Sequence, residues 1–276
     1  MKTPLAALSA LAAATLALTG CGSTQSSSSS TAPAGSSSSA PAAGTQASSG
    51  KIQVFAAASL NNAGADLEKA YEAANPGVDI TFVYEGSAKL VTQIEQGATP
   101  DMLITADTKN MDKAKKLNEF SNSETNVLVT NKLVLVTAEG NPGKINSLDD
   151  LKTTAGVVAV CKEDVPCGTI VHQVLKTHDI THKIATTERK VTDVATKVTT
   201  GNADAGFIYT TDLAAAKKKG VNLGSVELTD VERNEYPAAL SKTGSSSETA
   251  KKFNEWLKNS DEAKKILTEY GFNTAQ

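Results

Sequence analysis

The chain changes from strand to helix within Lys51-Ile52-Gln53-Val54-Phe55-Ala56-Ala57-Ala58-Ser59-Leu60. Its first half is rich in β-branched and aromatic residues, which favour a strand, and Ser59 stands where a helix would begin. Apolar residues then recur every three or four positions from Leu60 to Ala74, which predicts an amphipathic helix. Asn75-Pro76-Gly77 ends that helix. The segment therefore predicts a strand–helix unit of the kind from which α/β proteins are built.

The same unit recurs along the chain. Residues 78–84 alternate apolar and polar side chains as a strand does, and a helix from Ala88 to Gln96 follows. Further strands are predicted at 101–105, 133–137, 156–161 and 205–209, and further helices at 108–118, 148–151, 168–177, 192–200, 250–257 and 263–270. This order predicts an α/β fold of two lobes, each a mostly parallel sheet flanked by helices.

The first fifty residues differ in composition from the rest of the 276. Residues 22–50 contain no charged or aromatic side chain, and 12 of these 29 residues are serine, so they cannot bury a core. The predicted domains are a signal peptide (1–20), a lipidated cysteine with a disordered tether (21–50), a first lobe (51–130), a second lobe (131–238) and a return to the first lobe (239–276).

The N-terminus has the features of an export signal. Lys2 precedes an apolar run of 14 residues that is too short to span a membrane, and small residues lead up to Cys21. Leu18-Thr19-Gly20-Cys21 resembles the bacterial lipobox, which implies a lipid on Cys21 and a protein held on the extracytoplasmic side of the cell membrane. The alternative is an ordinary secretory leader with an incidental cysteine. The tether would let the folded part move roughly 30 Å from the anchor.

The net charge of −3 provides no basic surface for nucleic acid or for an acidic membrane. Cys161 and Cys167, six positions apart in an exported chain, favour a disulfide over a metal site. The alternative is a hydrolase in which Cys167, activated by His172, or a serine is the nucleophile. His178 and His182 could share a helix face as zinc ligands, but no third ligand has a recognisable spacing. The sequence therefore predicts no enzyme, no resident metal and no cofactor.

Four positions are candidates for a binding site. In open α/β sheets ligands bind beyond the carboxyl ends of strands, where helix N-termini attract anions. Ser59 and Ser87 stand at such junctions, Cys167-Gly168 opens a third helix, and Tyr209 ends a strand. All of them supply neutral donors, which suggests capture of a small anion. The alternatives are helix N-caps for the serines, a turn glycine and a core tyrosine.

Several segments, in order, resemble the molybdate-binding proteins of bacterial ABC transporters. These are Phe55-Ala56-Ala57-Ala58-Ser59-Leu60, Glu85-Gly86-Ser87-Ala88-Lys89-Leu90, Asn131-Lys132-Leu133-Val134-Leu135-Val136, Val165-Pro166-Cys167-Gly168 and Gly201-Asn202-Ala203-Asp204-Ala205-Gly206-Phe207-Ile208-Tyr209. The resemblance covers 51–276 and implies a periplasmic-binding-protein type II fold with the ligand cleft between the lobes. It also implies a monomer that passes molybdate or tungstate to a membrane-embedded ABC permease. A receptor for another oxyanion such as sulfate is the alternative within this class.

The resemblance also implies the ligand contacts. They are the hydroxyls of Ser59, Ser87 and Tyr209 and the backbone at Cys167 and Val194. The chain departs from the family pattern twice, with Cys167 where many relatives have alanine and Ala195 where many have arginine. A backbone contact at Cys167 is compatible with the first change, whereas the second makes Val194 the least secure of the five.

Overall fold

The structure, a computed structural model, describes residues 50–181, 186–229 and 231–274. The predicted signal peptide, Cys21 and the tether up to residue 49 lie outside these residues, as does His182. Among the helices that the described residues form, none is both long enough and apolar enough to cross a membrane.

Strands and helices alternate over most of the described chain. The strands are β1 (Gly50–Ala57), β2 (Val78–Glu85), β3 (Met102–Ile104), β4 (Thr125–Asn131), β5 (Leu133–Thr137), β6 (Val158–Cys161), β7 (Thr186–Glu188), β8 (Ala205–Tyr209), β9 (Gly224–Glu227), β10 (Asn234–Leu240) and β11 (Asn273–Thr274). The α-helices are α1 (Asn61–Ala74), α2 (Ser87–Glu95), α3 (Thr108–Ala114), α4 (Pro166–Thr177), α5 (Val191–Thr199), α6 (Thr210–Lys218), α7 (Lys242–Ser246), α8 (Glu248–Asn259) and α9 (Asp261–Glu269). Short 3-10 helices occupy Ala58–Leu60, Asn118–Phe120 and Asp149–Lys152.

The strands form two sheets. The first has the order β11-β4-β10-β3-β1-β2, and the second has the order β7-β6-β8-β5-β9. In the first sheet β1 is parallel to β2 and β3, while β10 runs antiparallel to β3 and β4. In the second sheet β6 is parallel to β7 and β8, while β5 runs antiparallel to β8 and β9. The predicted α/β architecture with two lobes is confirmed.

Four strands of each sheet share one direction; β10 and β11 run against the other strands of the first sheet, and β5 runs against the other strands of the second. β4 ends at Asn131 in the first sheet, and β5 begins at Leu133 in the second, so the chain crosses at Lys132. It is back in the first sheet with β10, which pairs with β4 from Asn234 onward, earlier than the predicted return at residue 239. We call residues 50–131 and 234–274 the first lobe and residues 133–229 the second lobe.

Each lobe has its own apolar core. In the first lobe helix α8 packs on the sheet, and its Phe253 is fully buried. Its ring lies 4.9 Å from that of Tyr71 in α1, in an edge-to-face arrangement that suits aromatic quadrupoles. In the second lobe Val160 and Phe207 are fully buried within a separate cluster. Because each lobe packs its own apolar residues, the residues between the sheets are free to form a site.

Candidate anion-binding site

A small cavity of about 20 Å³ lies where the two lobes meet. Strands β1, β2 and β3 are parallel, so their carboxyl ends face one side of it, and β6, β7 and β8 do the same from the second lobe. The first lobe contributes residues 57–59, 86–87 and 106, and the second lobe contributes 165–167, 189–191 and 209. This is the place in an open α/β fold where ligands bind.

Ser59 lies in the 3-10 helix between β1 and α1 and is 2% exposed. It is not the N-cap of α1, because that position belongs to Leu60. Its Oγ is 2.7 Å from the phenol oxygen of Tyr236, which is fully buried in β10. The serine hydroxyl is therefore held by a side chain 177 positions away and not by its own helix.

Ser87 is the first residue of α2, and Gly86 is the N-cap. Ser87 is 1% exposed, and its hydroxyl accepts a hydrogen bond of 3.0 Å from the backbone N–H of Ala106, which lies two residues after the end of β3. Ala106 also lines the cavity. Neither serine is a helix N-cap, so that alternative role is wrong for both.

Tyr209 ends β8, is buried and lines the cavity. Burial raises the pKa of its phenol well above the ordinary value, and the neighbouring Tyr236 and Asp107 raise it further. The phenol is therefore neutral at physiological pH and keeps its proton. Its oxygen lies 3.2 Å from Nδ2 of Asn234, which donates to it.

Cys167 is the second residue of α4 and forms a disulfide with Cys161, with 5.7 Å between the two Cα atoms. The predicted disulfide is thus present, and its sulfurs offer no thiolate for the alternative nucleophile. N–H groups in the first turn of a helix have no partner within the helix, so those of Cys167 and Gly168 are available at this end. A Cβ on Gly168 would lie 1.6 Å from the carbonyl oxygen of Lys162, so only glycine fits there.

An ion pair joins the lobes at the edge of the cavity. Nζ of Lys190 lies 3.4 Å from Oε2 of Glu85, whose Oε1 lies 2.8 Å from Nζ of Lys89. Burial raises the pKa of Glu85, but the hydrogen bonds and charges of the two lysines outweigh it and lower that pKa overall. Glu85 is therefore ionised, and it compensates part of the positive charge that Lys190 brings to the cavity.

The arrangement is suited to an oxyanion. Three residues with hydroxyl groups and the first turns of α2, α4 and α5 converge on one small cavity, and helix N-termini favour negative charge. No group of three or more histidine, cysteine, aspartate or glutamate side chains that could hold a metal ion occurs in the described parts of the chain.

The family of bacterial extracellular solute-binding proteins matches the chain over residues 52–273. The chain is a bacterial extracellular solute-binding protein. The molybdate-binding protein ModA of Mycobacterium tuberculosis (strain H37Rv) is 38% identical to this solute-binding protein over 236 residues, which are 86% of this chain and 85% of that protein. The predicted relationship to molybdate-binding proteins of ABC transporters is confirmed.

Solved structures share the fold. The periplasmic molybdate-binding protein of Azotobacter vinelandii superposes with a TM-score of 0.70 at 21% identity and covers 82% of this chain and 100% of that one. The sulfate-binding protein SubI of Mycobacterium tuberculosis H37Rv superposes with a TM-score of 0.67 at 17% identity and covers 82% of this chain and 87% of that one. At these identities the likeness concerns the two-lobed fold alone.

Four of the five predicted ligand residues of this solute-binding protein line one cavity: Ser59, Ser87, Cys167 and Tyr209. Val194 does not line it. Its side chain packs on β8, where a Cβ on Gly206 would lie 2.8 Å from Cγ1 of Val194. Val191, at the start of the same helix, lines the cavity instead. A contact through the backbone of Val194 stays a prediction.

Sequence reasoning missed the polar side chains behind the site. Asn131, Asn234 and Tyr236 are buried and bond to the hydroxyls or to one another. Asn131 belongs to a segment quoted for the family resemblance, but nothing in the spacing of the other two marks them as polar partners. Arg189 and Lys190, which line the cavity, could have been found as the basic pair that precedes α5.

Proposed function

We propose that this solute-binding protein captures molybdate, and tungstate of nearly the same size, between its lobes and delivers the ion to a membrane-embedded ABC permease. The observation that carries the proposal is the cavity between the lobes, which is lined by Ser59, Ser87 and Tyr209 and by helix N-termini. It supports the proposal together with the 38% identity to a molybdate-binding protein, which extends over most of both chains.

The proposed ligand contacts are the hydroxyls of Ser59, Ser87 and Tyr209 and the backbone N–H groups at Cys167 and Val194. A tetrahedral dianion presents four oxygens that only accept, so a shell of donors satisfies all of them. A hydrogen bond to a charged group contributes about 1.5–3 kcal/mol, so five such bonds can offset the cost of removing the ion from water. No full positive charge has to touch the ligand.

We further propose that the protein performs no covalent step and needs no cofactor, and that it acts as a monomer. Its family is one of transport proteins. The sulfur of Cys167 is held in the disulfide, which leaves the exported cysteine hydrolase without its nucleophile. The remaining chemistry is binding and release, accompanied by a hinge motion of the two lobes.

A receptor for sulfate is the second candidate, because sulfate is also a tetrahedral dianion that would accept from the same donors. The two dianions have the same shape and charge and differ mainly in size. A cavity with the same donors placed further apart would therefore select molybdate.

Calorimetric titration of the exported chain with Cys21→Ser, which removes the lipid site, tests the ligand. Molybdate and tungstate are expected to bind at least 100-fold more tightly than sulfate, and phosphate is expected to bind least. At a ligand concentration 100 times the Kd, binding adds about 2.7 kcal/mol to the free energy of unfolding, so Tm rises as well. Binding of sulfate without binding of molybdate would instead establish the second candidate.

The protein is proposed to be lipid-anchored through Cys21 on the extracytoplasmic side. Membrane fractions of cells that express the wild-type chain are expected to retain it, whereas Cys21→Ser is expected to release it in soluble form. Equal partition of the two chains would show that Cys21 is not the anchor.

A further inference from the structure

The three hydroxyls of the cavity each have a protein neighbour, and the direction of each hydrogen bond determines what the hydroxyl can offer a ligand. A hydroxyl has one proton and can also accept. Where the protein donates to the oxygen, the proton remains for the ligand. Where the oxygen instead donates to the protein, it faces the ligand as an acceptor.

The direction at Ser87 is set by the backbone. The N–H of Ala106 can only donate, and it lies 3.0 Å from Oγ of Ser87. The serine oxygen is therefore the acceptor in this bond. Its proton is left for the cavity.

The direction at Tyr209 is set by the backbone of the same residue, Ala106, through Asn234. The side-chain atom of Asn234 that lies 2.8 Å from the carbonyl oxygen of Ala106 has to be the amide nitrogen, because a carbonyl only accepts. This nitrogen also lies 3.2 Å from the phenol oxygen of Tyr209. The phenol oxygen accepts, and its proton is left for the cavity.

The direction at Ser59 is set through two side chains. The N–H of Lys132 donates to Oδ1 of Asn131 at 2.9 Å, which identifies the other amide atom of Asn131 as the nitrogen. That nitrogen donates to the phenol oxygen of Tyr236 at 3.2 Å. The phenol proton then goes to Oγ of Ser59, 2.7 Å away, and the serine proton is left for the cavity.

Two observations support this last step. Burial raises the pKa of Tyr236 above its ordinary value, so the phenol stays protonated and its proton needs an acceptor. Asn234 also interacts with this phenol, but its Oδ1 accepts no hydrogen bond of normal geometry among the described residues, and the amide nitrogen of Asn131 can only donate, so Oγ of Ser59 is the acceptor in place. The proton of Tyr236 is therefore directed to Ser59.

We propose that Asn131, Tyr236 and Asn234 are positioning residues that hold the three cavity hydroxyls as donors, and that they thereby select oxyanions without a proton. The proposal rests on the proposed function and names the specificity of the same site. Molybdate, tungstate and sulfate carry no proton at neutral pH, whereas hydrogen phosphate and hydrogen arsenate each carry one. Inside this cavity that proton would face donors at all three hydroxyls.

Tyr236→Phe tests the longest of these connections. The variant keeps the ring, which packs against Phe272 with centroids 5.3 Å apart, and removes only the hydroxyl. Ser59 Oγ then has no donor from the protein and can turn to accept from a ligand. The Kd for molybdate is expected to rise roughly 10-fold. The affinity for hydrogen arsenate, measured by displacement of bound molybdate, is expected to fall less. The ratio of the molybdate affinity to the arsenate affinity therefore falls.

Tyr84→Phe is the matched control. The Tyr84 hydroxyl is buried in the first lobe and has no hydrogen-bond partner among the described residues. Its removal should leave both affinities unchanged. A loss of molybdate binding in both variants would mean that any buried tyrosine hydroxyl of this lobe matters, and the proposal would be wrong.

A double-mutant cycle separates positioning from simple structural support. In the Ser59→Ala background Tyr236→Phe should have little further effect, because its effect passes through the Ser59 hydroxyl. Additive losses would overturn the proposal. Asn234→Leu gives a second measurement. It removes the donor to the Tyr209 hydroxyl and should therefore also lower the ratio of the molybdate affinity to the arsenate affinity.

The proposed ligand and the proposed positioning role can be contradicted separately. If wild-type protein binds molybdate, and Tyr236→Phe leaves the Kd and the arsenate ratio unchanged, only the positioning role is wrong. If wild-type protein binds sulfate but no molybdate, the proposed ligand is wrong, and the positioning role is tested by the same variants with sulfate. If it binds neither, both are wrong.

Discussion

The hydroxyls of Ser59 and Ser87 are the smallest groups on which the proposed function depends. Ser59→Ala and Ser87→Ala each remove one proposed donor to a charged ligand, which is worth about 1.5–3 kcal/mol, so each should raise the Kd for molybdate by 10-fold or more. Calorimetry of both variants and of the double variant measures the change.

Ser123→Ala is a matched control for both serines. The Ser123 hydroxyl donates to the carbonyl oxygen of Leu240, in the first lobe but outside the cavity. This variant should lose a little stability and no affinity. Unchanged molybdate binding in the double variant of Ser59 and Ser87 would remove these serines from the site.

Asp212 gives the stability of the protein a dependence on pH. Burial raises the pKa of this carboxyl from 3.8 to about 7, although the N–H of Tyr209 donates to it and lowers the pKa. Between these two values the unfolded chain has lost the proton and the folded chain has kept it. The free energy of unfolding therefore falls as pH rises from about 4 to about 7, by up to ~1.4 kcal/mol per pH unit.

Asp212→Asn should remove this contribution, because the amide is neutral at every pH and its oxygen can still accept from Tyr209. Chemical unfolding of both proteins at pH 4, 5.5 and 7 gives the two slopes. Equal slopes would mean that Asp212 ionises normally in the folded protein.

At the scale of elements, the disulfide ties the start of α4 to the end of β6. It closes a loop so short that the chain-entropy model gives about 2 kcal/mol of stabilisation. The double variant Cys161→Ala, Cys167→Ala should lose about that free energy of unfolding. It should also bind molybdate more weakly, since the N–H of Cys167 is a proposed contact. Wild-type protein treated with a reductant should match the variant; an unchanged Kd in both would separate the disulfide from the site.

The elements that carry the hydroxyls could be predicted because their signals are local. The alternation in β2 and the three-to-four spacing in α1 and α5 depend only on neighbours in sequence, and the observed bounds differ from the predicted ones by a residue or two. Helix α4 begins at Pro166 and not at Gly168, because proline is well suited to the first position of a helix.

Strands β4 and β10 were not predicted, and their contacts explain why. Both belong to the first sheet next to crossings between lobes, and β10 has an irregular register between Tyr236 and Pro237. Their polar residues act on positions far away in sequence: Tyr236 on Ser59 and Asn234 on Ala106, separated by 177 and 128 residues. Such pairings follow from topology and cannot be read from spacing in a single sequence.

At the scale of the whole molecule, the pair of Glu85 and Lys190 connects the two lobes. Glu85→Gln removes this connection and also removes a negative charge near an anion site. Loss of the charge alone should slow the release of molybdate, whereas loss of the connection should speed it. We expect faster release, by a few-fold, in a displacement experiment followed over time; slower release would show that the ion pair does not hold the lobes together.

Lys89→Met is the control for this pair. Lys89 bonds to the same carboxylate within the first lobe, so its replacement leaves the connection between lobes in place. It should change the release rate little.

The net charge of −3 for the whole chain is no obstacle to anion binding, because the field at the ion comes from nearby donors and helix ends.

The backbone of Ala106 gives two of the three hydroxyls their direction, through its N–H to Ser87 and through its carbonyl oxygen and Asn234 to Tyr209. No amino-acid substitution can delete a carbonyl, and only proline deletes an N–H. The direction at Ser87 is therefore robust to mutation. Tyr209 depends also on the side chain of Asn234, and Ser59 depends on two other side chains, all of which single codon changes can alter. A lineage or a designer in search of a receptor for protonated oxyanions would find the accessible route there.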